Sequence, residues 1–85
     1  MSMEQSWDHK LAHAVAPVRG KPMRTLAEAG AFVLALPKGV RYQDDWERTA
    51  DLLLAAADSG RDLDIEQATF QLERALFFHE LLAGR

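Results

Sequence analysis

The sequence predicts a mainly α protein: a three-helix bundle preceded by an N-terminal extended arm or short β-hairpin. Two observations carry this reading. Three stretches open on a capping residue and continue with apolar side chains at helical spacing. Ahead of them, Pro17 and Pro22 bracket Arg19-Gly20-Lys21, which suits a turn between two short apolar pieces. The 85 residues fit one domain, with the arm over residues 1–24 and the three-helix core over 25–85.

The first helix opens on TLAE. Thr25 at the N-cap and Glu28 three residues on form a capping box, each accepting a backbone N–H of the other. It ends at Leu36, since Pro37 disfavours a helical conformation in the residue before it, and Lys38-Gly39 turns the chain. The second opens on DDWE, with Asp44 as N-cap and with Asp45 and Glu47 against the positive end of the helix dipole. It stops at Ser59-Gly60, where glycine supplies the left-handed conformation. The third opens on DIEQ, with Asp64 as N-cap and Gln67 at the third position, and runs to Gly84. The first residues leave two readings open. WDHKLAHAV suits a short helix from Ser6, or a strand in which Trp7, His9, Leu11, His13 and Val15 alternate. AVAPVRGKPMRTL favours a hairpin or extended arm over residues 14–24.

Each helix has its apolar face written at steps of about 100° per residue. In the second, Trp46, Ala50, Leu53 and Ala57 form the stripe, widened by Leu54 on one side and by Thr49, Leu52 and Ala56 on the other. That arc of roughly 200° exceeds the ~100° of a simple surface helix and calls for more than one neighbour. In the third, Ile65, Ala68, Leu72, Ala75, Leu76 and Leu82 face the core, with His79 among them. Nearly opposite lies a second apolar stripe of Phe70, Phe77 and Leu81. Glu66, Glu73 and Glu80 flank it on one side; Gln67, Gln71 and Arg74 flank it on the other, beside Phe78.

The first helix turns Leu26, Ala29, Val33 and Leu36 one way, with Phe32 and Leu34 off to either side and Glu28 its only charge. It reads as the central helix, with Gly30 and the alanines admitting another backbone. Burying a Leu, Val or Phe is worth roughly 1.5–3 kcal/mol, against a total stability of about 4–13 kcal/mol for a chain this long. Several such side chains left in water would remove most of that margin. Either the N-terminal arm or a partner is therefore expected to cover the second stripe.

Composition narrows the function. The absence of cysteine fits a reducing compartment and removes thiolate chemistry and Cys-type zinc sites. No apolar run reaches the ~20 residues a membrane-spanning helix needs, and MSMEQSWDHK lacks the apolar centre of a secretory signal. A cytoplasmic protein is expected, with no membrane partner. The net charge of −3 is uneven: residues 1–25 sum to +2 and residues 26–85 to −5. Nucleic acid is held through clustered Lys and Arg, so the only candidate contact is Arg19, Lys21 and Arg24.

His9 and His13 stand four apart, but Lys10 occupies the place where a zinc-protease motif has its glutamate. His79 suits a core-edge histidine bonded to a carbonyl. Asp44-Asp45 is accounted for by helix capping. No phosphate loop, dinucleotide fingerprint or nucleophile elbow occurs, and nothing assembles a nucleophile with its base and an oxyanion site. No enzyme activity, metal or cofactor is expected. An active site built only in a large oligomer, and a small-molecule pocket between helices and arm, are the remaining alternatives in that direction.

The order Trp7, Pro17-Val18, Gly20-Lys21, Arg24-Thr25-Leu26, Leu36-Pro37, Trp46, Leu53-Leu54 with Ala56-Ala57, and Arg74-Ala75-Leu76 resembles a group of short bacterial helical proteins. The resemblance covers roughly residues 14–82. The stretch between Trp7 and Pro17 is longer here than in that pattern. Its matching positions are mostly caps and core, so it supports the fold and carries over no functional residue.

The resulting expectation is a small interaction protein, a homodimer or adaptor. Its contacts would be Phe70, Phe77, Phe78 and Leu81, joined by Phe32 and Leu34, since aromatic anchors commonly dominate such interfaces. The alternative is a nucleic-acid-associated regulator whose paired arms bring two copies of Arg19, Lys21 and Arg24 together.

Overall fold

The computed structural model describes residues 7–18, 20–41 and 43–79. It is mainly helical, with a two-stranded antiparallel hairpin at the N-terminal side: β1 (Lys10–Val15), β2 (Met23–Thr25), α1 (Leu26–Leu34), α2 (Lys38–Arg41), α3 (Asp44–Ser59) and α4 (Asp62–Phe78).

Of the two readings of WDHKLAHAV, the strand is the one adopted from Lys10 onward. Lys10 pairs with Thr25 and Val15 with Met23, with an irregularity between. Leu11 and Val15 are buried on the side that meets α4, while His13, in step with them, lies at the margin. The two prolines lie outside β1 and β2, in the connection between them, so neither removes an N–H from within a strand.

The arm is also stitched into the start of α1. A helix leaves its first amides without intrahelical acceptors. Here the Leu26 N–H donates to the His9 carbonyl at 2.9 Å and the Ala27 N–H to the Trp7 carbonyl at 3.0 Å. The Glu28 N–H donates to Thr25 Oγ1 at 3.2 Å, and the Glu28 carboxylate accepts the Thr25 N–H at 3.2 Å. The expected capping box is therefore present, and it shares the helix N-terminus with the hairpin.

Two other expected caps shift. α3 starts at Asp44 itself, with Gln43 as N-cap; the Gln43 carbonyl takes the first amides and Asp44 lies in the first turn. α4 starts three residues earlier than an Asp64 cap implies, at Asp62 with Arg61 as N-cap, so Asp64 is inside the helix and accepts a bond from Ser59 Oγ instead of capping. The end of α3 is as expected: Gly60 has φ +67° and donates its N–H to the Ala56 carbonyl at 2.8 Å. The turn at Lys38-Gly39 is a four-residue helix, α2, opened by the Pro37 carbonyl. Any continuation of α4 toward Gly84 lies outside the described residues.

The core sits between α3, α4, the hairpin and one side of α1. Trp46, Leu53, Ala56 and Ala57 of α3 meet Ile65, Ala68, Leu72, Ala75 and Leu76 of α4, and Leu11, Val15, Met23, Leu26, Ala29 and Val33 complete it. Ala50, expected in the α3 stripe, is exposed; Thr49 takes the buried place, its hydroxyl donating to the Asp45 carbonyl at 2.7 Å.

The reading of α1 as the central helix is corrected. The helix packs on α3 and β2 and buries only Leu26, Ala29 and Val33. Its low charge reflects alanine: Ala27, Ala31 and Ala35 are all exposed, and a single methyl group in water costs little. Gly30 admits not another backbone but the Trp7 ring, which would lie 3.2 Å from a Cβ placed there. Among the described residues, no helix is long and apolar enough to cross a membrane.

Candidate interaction face on the last helix

α4 buries one side in the core and turns the other outward. Leu63, Phe70, Phe77 and Phe78 are 62%, 66%, 53% and 57% exposed. At 100° per residue, positions seven apart fall nearly in line, so Leu63, Phe70 and Phe77 form one stripe about 21 Å long. Phe78 stands beside its C-terminal end, its ring edge-on to Phe77 with centroids 6.0 Å apart. The Arg74 guanidinium lies over the Phe78 ring, 5.3 Å from its centroid.

The arm packs on α4 along a different strip. The Ala12 N–H donates to Thr69 Oγ1 at 3.1 Å, and the Thr69 hydroxyl in turn donates to the Ile65 carbonyl at 2.8 Å. His13 Nε2 meets Glu73 Oε2 at 2.8 Å. Thr69 and Glu73 lie on the edge of the core stripe, more than a quarter-turn from Phe70 in the case of Thr69. The described part of the arm thus reaches α4 without sealing Phe70.

The residues expected to form one interface are not all brought together. Phe70, Phe77 and Phe78 share α4. Phe32 is half-buried in the core edge, its ring 6.1 Å from that of Trp46. Leu34, 71% exposed, borders a separate apolar cleft of about 220 Å3 between α1 and α3, with Trp7, Gly30, Val33, Ala50, Leu53 and Leu54. Leu81 lies outside the described residues. Leu63 was missed because α4 was expected to begin after it; its position seven residues before Phe70 was the available signal.

The flanks of the α4 stripe differ in charge. Glu66 and Glu73 run along one side, Gln67 and Arg74 along the other. On the second side, Arg48 and Leu52 of α3 join Gln67, Phe70, Gln71 and Arg74 around an open cleft of about 280 Å3. Gln71 is almost fully buried there and donates through Nε2 to the Asp45 carbonyl at 3.2 Å, tying α4 to the start of α3.

The remaining candidates are separated. His13 goes to Glu73, while His9 lies against Gly60 across the end of α3, so a strand keeps apart what a helix would have paired. His79 is at the core edge as expected, its ring 5.7 Å from Trp46; its neighbour is the Asp45 carboxylate at 3.7 Å, not a carbonyl. Lys21 and Arg24 are exposed on the hairpin, with the Glu28 carboxylate among them, accepting the Arg24 N–H at 2.6 Å. Arg19 lies outside the described residues.

Compared with known proteins, the chain matches no family model, no curated protein and no solved structure.

Proposed function

We propose that this protein is a non-enzymatic interaction module, working in the cytoplasm and associating through the outward face of α4, first of all with a second copy of itself. The observation that carries the reading is the exposure of Leu63 in the first turn of α4 and of Phe70 at its middle, in line with Phe77. Exposed single apolar residues are ordinary, whereas a contiguous apolar stripe rimmed by polar side chains is the usual mark of an interface. The flanking glutamates, glutamine and arginine supply that rim.

The apolar stripe is about 21 Å long and one helix wide. That is smaller than the ~800 Å2 per partner of a standard stable interface, so association is expected at micromolar concentration. Light scattering after gel filtration at about 10–200 µM, a range set by that interface size, tests it. The expected result is a mass that rises toward twice that of the chain, and a return to a single chain in Phe70→Glu with its helical circular dichroism unchanged. A concentration-independent single chain would refute the reading.

A further inference from the structure

We infer that the association is a parallel, two-fold pairing of α4 with α4 of a second copy, an inference that rests on the reading above. Two-fold interfaces must be self-complementary, each patch meeting its own image. The α4 face carries both signs of charge, one on each side of the Leu63–Phe70–Phe77 stripe. A two-fold axis running along the helices sets the Glu66 and Glu73 side of each copy against the Arg48 and Arg74 side of the other. An axis crossing the helices at right angles does the opposite, setting carboxylates on carboxylates and guanidiniums on guanidiniums.

The cleft of Arg48, Leu52, Gln67, Phe70, Gln71 and Arg74 is suited to receive those carboxylates. Two guanidiniums and two amides border it. Among the described residues, no carboxylate lies within ion-pair distance of Arg48 or Arg74. On the other side, Glu66 is exposed, and Glu73 presents its second oxygen while the first meets His13. Parallel packing does bring like helix ends together, but those carry about half a charge each and act only within the terminal turn. Full charges along the length of the face outweigh them and choose the orientation, which is what interfacial charge does best.

The absence of cysteine makes the orientation measurable. Leu63→Cys and Phe77→Cys change exposed positions about 21 Å apart along α4. A disulfide requires Cα atoms about 4.4–6.8 Å apart. In a glutathione redox buffer, each variant alone is expected to form a covalent dimer, and an equal mixture is expected to give no 63–77 product. Cross-linking only in the mixture would overturn the parallel arrangement while leaving the α4 association standing. A dimer by mass with no cross-link in any sample would overturn the arrangement and the choice of face together. A single chain by mass at every concentration would overturn both this inference and the reading it rests on.

Discussion

Thr69 joins the arm to the bundle through one buried hydroxyl that accepts from Ala12 and donates to Ile65. Replacing it with valine keeps the shape and strands the Ala12 N–H, at a cost of about 1–3 kcal/mol. Urea denaturation of Thr69→Val should show that loss, with faster hydrogen exchange at Ala12; unchanged exchange there would mean the contact is not made in solution. Gly60 is a second such point. Its φ of +67° is unfavourable for a residue with a Cβ, by about 1–2 kcal/mol. The added methyl would also press on His9 Nε2 at 2.9 Å, although the exposed ring is able to move aside. Gly60→Ala is therefore expected to lose about 1–2 kcal/mol of stability by denaturant titration, with Gly60→Asn less affected. Trp46 differs from both: it fills the centre of the core, yet its indole N–H has no hydrogen-bond partner. An orphaned buried donor carries a penalty of about 1–3 kcal/mol, so Trp46→Phe should recover part of what its smaller ring loses in packing. Trp46→Ala recovers the same penalty but opens a cavity worth about 3–5 kcal/mol. A difference of less than about 1 kcal/mol between the two variants would contradict the ring's place in the core.

At the level of elements, legibility followed local chemistry. The α1 cap, the Gly60 terminus of α3 and the core stripe of α4 depend on neighbouring residues, and the sequence specifies them. What it left open depended on partners distant in the chain. WDHKLAHAV had the spacing of both a helix and a strand, and the choice falls to Met23–Thr25, Leu26 and Thr69, whose acceptors and donors the strand satisfies. The start of α4 moved because Asp62 and Asp64 are both acceptable in a first turn, so composition did not separate them. A helix with Glu28 as its only charge reads as central, whereas Ala27, Ala31 and Ala35 of α1 and its C-cap sit in water at little cost. Its stability instead leans on its start: Thr25→Ala is expected to cost about 1 kcal/mol. Thermal melts would detect this, and no change would imply that the His9 and Trp7 carbonyls suffice alone.

For the whole molecule, the decisive feature is that the hairpin meets α4 along Thr69 and Glu73, at the margin of the outward face and not over Phe70. The described part of the arm packs its Leu11–Val15 side against α4, and Leu63, Phe70 and Phe77 each keep more than half of their surface exposed. A chain of this size has about 4–13 kcal/mol of stability in total, and keeping Leu63 and Phe70 exposed forgoes burial worth roughly 1.5–3 kcal/mol each. The proposed association would recover that burial. The second apolar cleft, bordered by Leu34 and Leu54, is a rival surface on the other side of α3. Backbone amide NMR spectra recorded across a dilution series from about 1 mM to 10 µM, spanning the expected affinity, distinguish the two directly. Concentration-dependent shifts confined to Leu63, Gln67, Phe70, Arg74, Phe77 and the adjoining Arg48 and Leu52 are the predicted result. Spectra that do not change on dilution, or shifts centred on Leu34 and Leu54, would contradict the account.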